Sequence, residues 1–300
     1  MSTSASRDLP FTAAGSPLTP GESAQERAPK RARPGRNLGA AIVVGVAMAA
    51  IILSSLLFVR HFFVPVLAVS AAIASWELAG ALRRGAGIEV PLPVVLVGGQ
   101  AMVWLAWPFG TAGLVASFGL TMVTALIWRM RGGASHFVRD VTATVFTAAY
   151  VPLCCGFAVL MTVAPDGLGR VLTFMLPVVA SDIGGYAAGV LAGRHPMAPT
   201  ISPKKSWEGF AGSQVAGTAT GAVCVVVFLG GPWWAGALTG SLLVVSATLG
   251  DLVESMIKRD LGIKDMGNLL PGHGGMMDRL DSLLPTAVMA WLLLSLLVPA

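Results

Sequence analysis

The chain has 300 residues, of which 55% are hydrophobic and only 12% charged, against about a quarter charged in ordinary soluble domains. A soluble fold of this length needs a polar surface that 15 carboxylates and 20 lysines and arginines cannot cover. Composition therefore excludes a soluble protein and predicts an all-α, polytopic integral membrane protein. The net charge of +5 does not indicate a nucleic-acid partner, because Lys30, Arg31, Arg33 and Arg36 directly precede a long apolar run, as membrane-flanking charges do.

Residues 1–36 are rich in Ser, Pro, Ala and Arg and read as a disordered cytoplasmic tail. Nine apolar runs follow, at 38–59, 62–82, 91–108, 111–128, 141–163, 171–193, 209–230, 234–257 and 283–299. Each is near the roughly 20 residues that a bilayer-spanning helix requires. They are continuous rather than alternating, which argues against barrel strands. The first is too long and too late for a cleaved signal peptide, and Pro91, Pro93 and Pro108 crowd the ends of the third. Cys154, Cys155 and Cys224 all lie in apolar stretches and read as small filler rather than a metal knuckle. The expected organisation is the tail, N-terminal membrane helices over 37–170, and a catalytic membrane region over 171–300.

Charge placement supports this count. With the tail in the cytoplasm and nine crossings, 18 of the 20 basic residues fall on the cytoplasmic side, and only Arg60 and Arg170 fall outside. The expected address is the cell membrane, with the C-terminus outside. The two longest polar segments, 194–208 and 258–282, then face the compartment that holds nucleotides.

Those segments carry the chemistry. The eighth run ends with Asp251, Glu254, Ser255 and Lys258 at spacings that share one helix face. Carboxylates near a membrane helix end are costly unless paired, hydrated or metal-bound. Beyond them come Arg259, Lys264 and Asp265, a turn from Pro271 to Gly275 that includes His273 and Gly274, and then Asp278, Arg279 and Asp281 at the start of the last helix. Carboxylates of this density suit Mg²⁺, which prefers carboxylate and phosphate oxygens. Lys258, Arg259, Lys264 and Arg279 would neutralise phosphates. The stretch from Ser202 to Gly209 is a proline-stiffened basic loop in which Ser202, Lys204 and Lys205 form a candidate phosphate or headgroup clamp. Asp182, beside Gly184 and Gly185 inside the sixth run, is a candidate as an intramembrane carboxylate. Glu208 and Glu254 stand beside it as further candidates. Glu77 is a lone carboxylate in the second run and reads as structural or as edge packing. The glycines at 209, 212, 217 and 221 read as a small-residue face for close helix packing. No Gly-x-x-x-x-Gly-Lys loop, dinucleotide fingerprint or Gly-x-Ser-x-Gly elbow is present.

Ser255, Lys258-Arg259, Lys264-Asp265, Pro271 to Gly275 and Asp278-Arg279-Leu280-Asp281 together closely resemble the signature of the phosphatidate cytidylyltransferases, also called CDP-diacylglycerol synthases. Ser202 to Gly209 resembles a second element of that family, and Asp182 with Gly189 to Arg194 a weaker third. The likeness is sharp over roughly 182–282. It departs at Arg194-His195-Pro196-Met197, where family members often carry further Gly and Lys.

The resemblance implies that CTP and phosphatidate react to CDP-diacylglycerol and pyrophosphate. It implies Asp265, Asp278 and Asp281 as organisers of Mg²⁺, with Asp251 contributing and Lys264 in a catalytic role. A second metal such as K⁺ is left open. Ser202, Lys204, Lys205, Ser255, Lys258, Arg259, His273, Gly274 and Arg279 are the implied substrate contacts, and a homodimer is the implied assembly. Two rival readings fit less well. The CDP-alcohol phosphotransferases carry an Asp-Gly-x-x-Ala-Arg run that is missing here. An ion-coupled transporter built on Asp182 and Asp251 would not need the dense 258–282 segment.

Overall fold

In a computed structural model of the chain, the described residues are 45–47, 50–52, 54–56, 62–267, 269 and 274–299. The expected tail, most of the first expected run and His273 lie outside them. Within a bilayer core no water is present to satisfy backbone groups, so long apolar runs must close their own hydrogen bonds as helices. The described chain does so through α1 (Phe63–Ala86), α2 (Leu92–Met130), α3 (Phe137–Ala148), α4 (Cys154–Val163) and α5 (Gly167–Ala192). A two-stranded antiparallel hairpin follows, β1 (Pro196–Ala198) with β2 (Ser202–Ser206). Then come α6 (Trp207–Leu229), α7 (Trp233–Asp260), the single turn α8 (Met277–Leu280) and α9 (Leu283–Leu297). A π-helical turn at Ala149–Leu153 joins α3 to α4. Pro152 lies in it and cannot donate the hydrogen bond that a regular helix would need there.

Among the described residues, seven helices are long and apolar enough to cross a membrane. Nine were expected, and the difference has two sources. A short apolar helix over Gly45–Leu56 covers only part of the first expected run. The third and fourth expected runs lie together in α2, a stretch of 39 residues that is two helical arms without a separating loop. Drawn straight, it would reach about 58 Å, roughly twice the hydrocarbon core. It is not straight. Pro108 and then Gly110, at φ 58° and ψ −142°, break it, in a backbone conformation that only glycine adopts cheaply. Beyond the break the chain doubles back, so that Gly98 packs on Thr121 and Gly113 on the Leu105 carbonyl. The two arms of this hairpin correspond to the expected runs 91–108 and 111–128.

The β-hairpin is a small exception to the all-α expectation. It replaces the loop expected after the sixth run and carries Ser202, Lys204 and Lys205. The glycine faces behave as expected. A methyl at Gly184 would meet the Gly212 carbonyl at 2.7 Å, and one at Gly221 would meet the Gly240 Cα at 2.7 Å. Thus α5, α6 and α7 approach nearly backbone to backbone, as small residues permit in membranes.

One end of the bundle gathers the polar loops. Arg84 donates to the Met266 carbonyl at 3.3 Å. Arg139 donates to the Gly87 carbonyl at 2.9 Å, and Arg129 pairs with Asp140 at 3.0 Å. The ends of α1 and α2, the start of α3 and the segment after α7 therefore share this end. At the other end, Arg170 pairs with Asp166 at 2.6 Å and donates to the Val298 carbonyl at 2.6 Å. Arg170 was one of the two basic residues assigned to the opposite side by sequence.

Candidate active site

The hairpin and α6 are positioned by a capped helix start. Ser206 is the N-cap of α6 and its side chain accepts from the Gly209 N–H at 3.1 Å. Such a cap satisfies one of the donors that a helix leaves open at its start. Glu208 reaches back across the hairpin. One of its oxygens accepts from the backbone N–H groups of Arg194 and His195 at 3.1 and 3.2 Å, and the other meets His195 Nδ1 at 2.5 Å. Glu208 thus fastens the hairpin and does not line the cleft beside it. That gives a physical role to Arg194 and His195, where the sequence departs from the family pattern.

The cleft has a volume of about 580 Å³, within the range of small-molecule sites. Asp182 reaches it from α5, Lys204 and Lys205 from β2, Asp251 and Lys258 from α7, and Asp265, Asp278, Arg279 and Asp281 from the segment that follows. Nine candidates from four sequence regions therefore share one cavity. Lys205 is paired with Asp251 at 2.5 Å, which ties the β-hairpin to α7. Lys258 is held between Glu254 at 2.5 Å and Asp278 at 2.9 Å. Glu254 is fully buried, and its second oxygen has no hydrogen-bond partner. An uncompensated buried carboxylate oxygen is costly, so this acid fixes Lys258 at an energetic cost to the fold.

Asp278 is the most heavily engaged carboxylate of the cleft wall. One oxygen takes Lys258. The other accepts from the Met266 N–H at 3.1 Å and the Gly275 N–H at 2.9 Å. Asp278 therefore knits together both ends of the glycine-rich segment. Asp281 follows in a turn between α8 and α9 and accepts from the Ser282 N–H at 2.6 Å. The last helix thus starts at Met277, as expected near Asp278, but is interrupted at 281–282 before it crosses the membrane.

Several candidates stand outside the cavity wall. Ser255 approaches Asp251 at a long 3.4 Å. Arg259 is exposed, with its Nε 3.5 Å from the Ile201 carbonyl in the β-hairpin turn. Lys264 is exposed and does not line the cleft, and Ser202 sits at the start of β2, also away from the wall. Gly274 takes a left-handed φ of 81° beside Asp278 and Asp265. His273 is outside the described residues.

Other contributors have no local sequence signal for their partners. Glu77 is not lone, and of its two expected roles, structural or edge packing, the structural one holds. It is buried, accepts from the Met277 N–H at 2.8 Å, and packs against Gly267 and Gly275. Its partners lie about 200 residues further on, so no local spacing could show them, although an acid inside a membrane run was itself a signal. Tyr186, Phe210 and Thr248 line the cleft as well. Tyr186 is four residues after Asp182, and Thr248 three before Asp251, so helical spacing could have found both.

The cavity wall carries five carboxylates, at 182, 251, 265, 278 and 281, against four cations, at 204, 205, 258 and 279. Among the described residues, no three His, Cys, Asp or Glu side chains stand close enough to hold a metal between them. A cleft with this excess of oxygen donors suits a hard divalent cation held by one or two carboxylates and completed by substrate phosphates, as Mg²⁺ usually is.

The fold and this cleft define a multi-pass membrane protein with an ionic pocket at one end of its helices. The chain matches the Cytidylyltransferase family over residues 39–297 and belongs to it. It is 50% identical to the phosphatidate cytidylyltransferase of Mycobacterium bovis over 286 residues, 91% of this chain and 93% of that one. It is equally similar to the phosphatidate cytidylyltransferase of Mycobacterium tuberculosis, over 91% of this chain and 87% of that protein. The enzyme of the same name from Mycobacterium leprae is 50% identical over 282 residues, 88% of this chain and 90% of that one.

Proposed function

We propose that the chain is a phosphatidate cytidylyltransferase, a CTP-dependent nucleotidyltransferase acting on a phospholipid. The observation that carries this reading is the convergence of four separate sequence regions, each with its own ionic residues, on one cleft at the end of a membrane bundle. Family membership and near full-length similarity to enzymes of that name support it. The cleft end faces the cytoplasm of the cell membrane, the side that the basic residues mark. CTP enters from the water, and phosphatidate offers its headgroup while its acyl chains stay in lipid. A homodimer is the proposed assembly.

In the reaction, a phosphate oxygen of phosphatidate bonds to the α-phosphorus of CTP. The bond from that phosphorus to the bridging β-oxygen breaks, and pyrophosphate leaves with the electron pair. The attacking oxygen is already anionic, so no general base is required. The work is alignment and charge neutralisation. Lys205, oriented by Asp251, and Lys258, oriented by Glu254 and Asp278, present fixed positive charge without reorganising during the reaction. Lys204 and Arg279 add charge at the wall. Ser255 braces Asp251, and Arg259 braces the hairpin turn. Asp278 and Glu77 hold the glycine-rich segment closed against the cleft. One or two of Asp251, Asp265 and Asp281 would hold Mg²⁺, with substrate phosphates completing its shell. Bound there, the ion supplies the positive charge that the wall lacks for two polyanionic substrates.

The test is direct. Purified protein receives labelled CTP, phosphatidate and Mg²⁺, and lipid-soluble label and pyrophosphate are measured. Equal amounts of both, lost on chelation and restored by Mg²⁺, are expected. Folded protein that yields no CDP-lipid would overturn the proposal.

A further inference from the structure

A second cavity, of about 430 Å³, opens at the same end of the bundle, between the C-terminal ends of α1 and α2. Arg83 from α1 and Arg129 and Arg131 from the end of α2 line it, with Trp128 and Glu89. None of these residues belongs to the wall of the catalytic cleft. We propose that this cavity binds the phosphate-bearing headgroup of an anionic phospholipid.

The charges are unevenly committed. Arg129 is spent on structure: it pairs with Asp140 and donates to the Ser135 carbonyl at 2.7 Å. Arg139 pairs with the same Asp140 at 3.1 Å. Asp140 is buried beneath both. Arg83 and Arg131 are different. Both are exposed, and among the described residues neither has an ion-pair partner. Three arginines against one carboxylate, Glu89, leave the lining net positive. A phosphate would find there what the catalytic cleft lacks, an excess of cations without an added metal.

The position selects a lipid as the source of that phosphate. Arg131 lies 4.9 Å from the centre of the Trp128 ring, which fixes its guanidinium over the aromatic face. Trp128 is half-exposed at the end of a membrane helix, where aromatic residues meet the headgroup layer. Ile127 and Met130 beside it are exposed apolar side chains on the same helix end. A headgroup in the cavity would therefore keep its acyl chains along α2. Basic pockets between membrane helices on the cytoplasmic side take anionic headgroups in this way.

The experiment is a lipid titration of the purified full chain in neutral detergent. Native mass spectrometry counts retained phosphatidylglycerol against phosphatidylcholine, so the readout is independent of catalysis. Wild-type protein is expected to retain phosphatidylglycerol selectively. R83Q/R131Q is expected to weaken that retention about tenfold, because each interfacial cation contributes separately. R83K/R131K should keep most of it, since charge is conserved. Lys205→Ala in the catalytic cleft should leave it unchanged, which separates the two sites. Retention in R83Q/R131Q equal to wild type would overturn the proposal. So would equal retention of phosphatidylcholine. Displacement of the lipid by millimolar inorganic phosphate would overturn the lipid reading in favour of a free-phosphate site.

Discussion

The two ionic cavities at one end of this bundle use the same residue types in opposite ways. In the cleft, two of the four wall cations are locked to carboxylates: Lys205 to Asp251, and Lys258 to both Glu254 and Asp278. The wall holds more acids than bases, an excess that the proposed Mg²⁺ would offset. In the arginine cavity, only Arg129 of the three lining arginines is tied to a carboxylate, the buried Asp140, and Arg83 and Arg131 are left to face the proposed ligand. Pairing costs binding energy but fixes geometry, which bond-making requires and simple retention does not. One cavity is built to align, the other to hold.

Substitutions can break that contrast. The largest effect is expected for Asp281→Asn, which removes a cleft carboxylate with almost no change in shape. Turnover should fall at least about a thousandfold while the protein remains in the membrane. Near-normal turnover would remove Asp281 from the catalytic set. Lys205→Ala should lower kcat/KM by roughly a hundredfold and leave Asp251 unpaired, and a change in KM alone would mean that the lysine only binds. Glu77→Ala should cost about 1–3 kcal/mol of stability, because the buried Met277 N–H loses its acceptor. Thermal melting reads that directly, and activity should fall as the glycine-rich segment loosens. An unchanged melting temperature would deny Glu77 its bracing role. The smallest effect is expected for Lys264→Ala. Its side chain is exposed and off the cleft wall, so turnover should drop less than about tenfold, in the range of a screened surface charge. A loss as large as that of Lys205→Ala would show that Lys264 swings into the cleft when substrate binds.

Much of the site was legible because its parts are local in sequence. The helix face of Asp251, Glu254, Ser255 and Lys258 follows from spacing, and the structure shows the 251–255 and 254–258 contacts that this spacing permits. The division of labour among these residues was not legible. Spacing could not say that Glu254 turns into the bundle, that Glu208 fastens a β-hairpin, or that Asp278 gives one oxygen to Lys258 and the other to the two ends of the glycine-rich segment. Each of these depends on which neighbour a side chain meets, and those neighbours come from other elements.

By itself, the sequence determined that this is a membrane protein, where most of its apolar runs lie, and which family it resembles. Those properties follow from transfer of side chains between water and lipid and from the order and spacing of residues, both of which are written residue by residue. Only the tertiary structure decided that two expected spans fold as one hairpin around Gly110, that Glu77 supports a segment 200 residues away, and that the cations divide into a locked set and a free one. The reason is physical: pairing and burial are set by packing between helices distant in the chain.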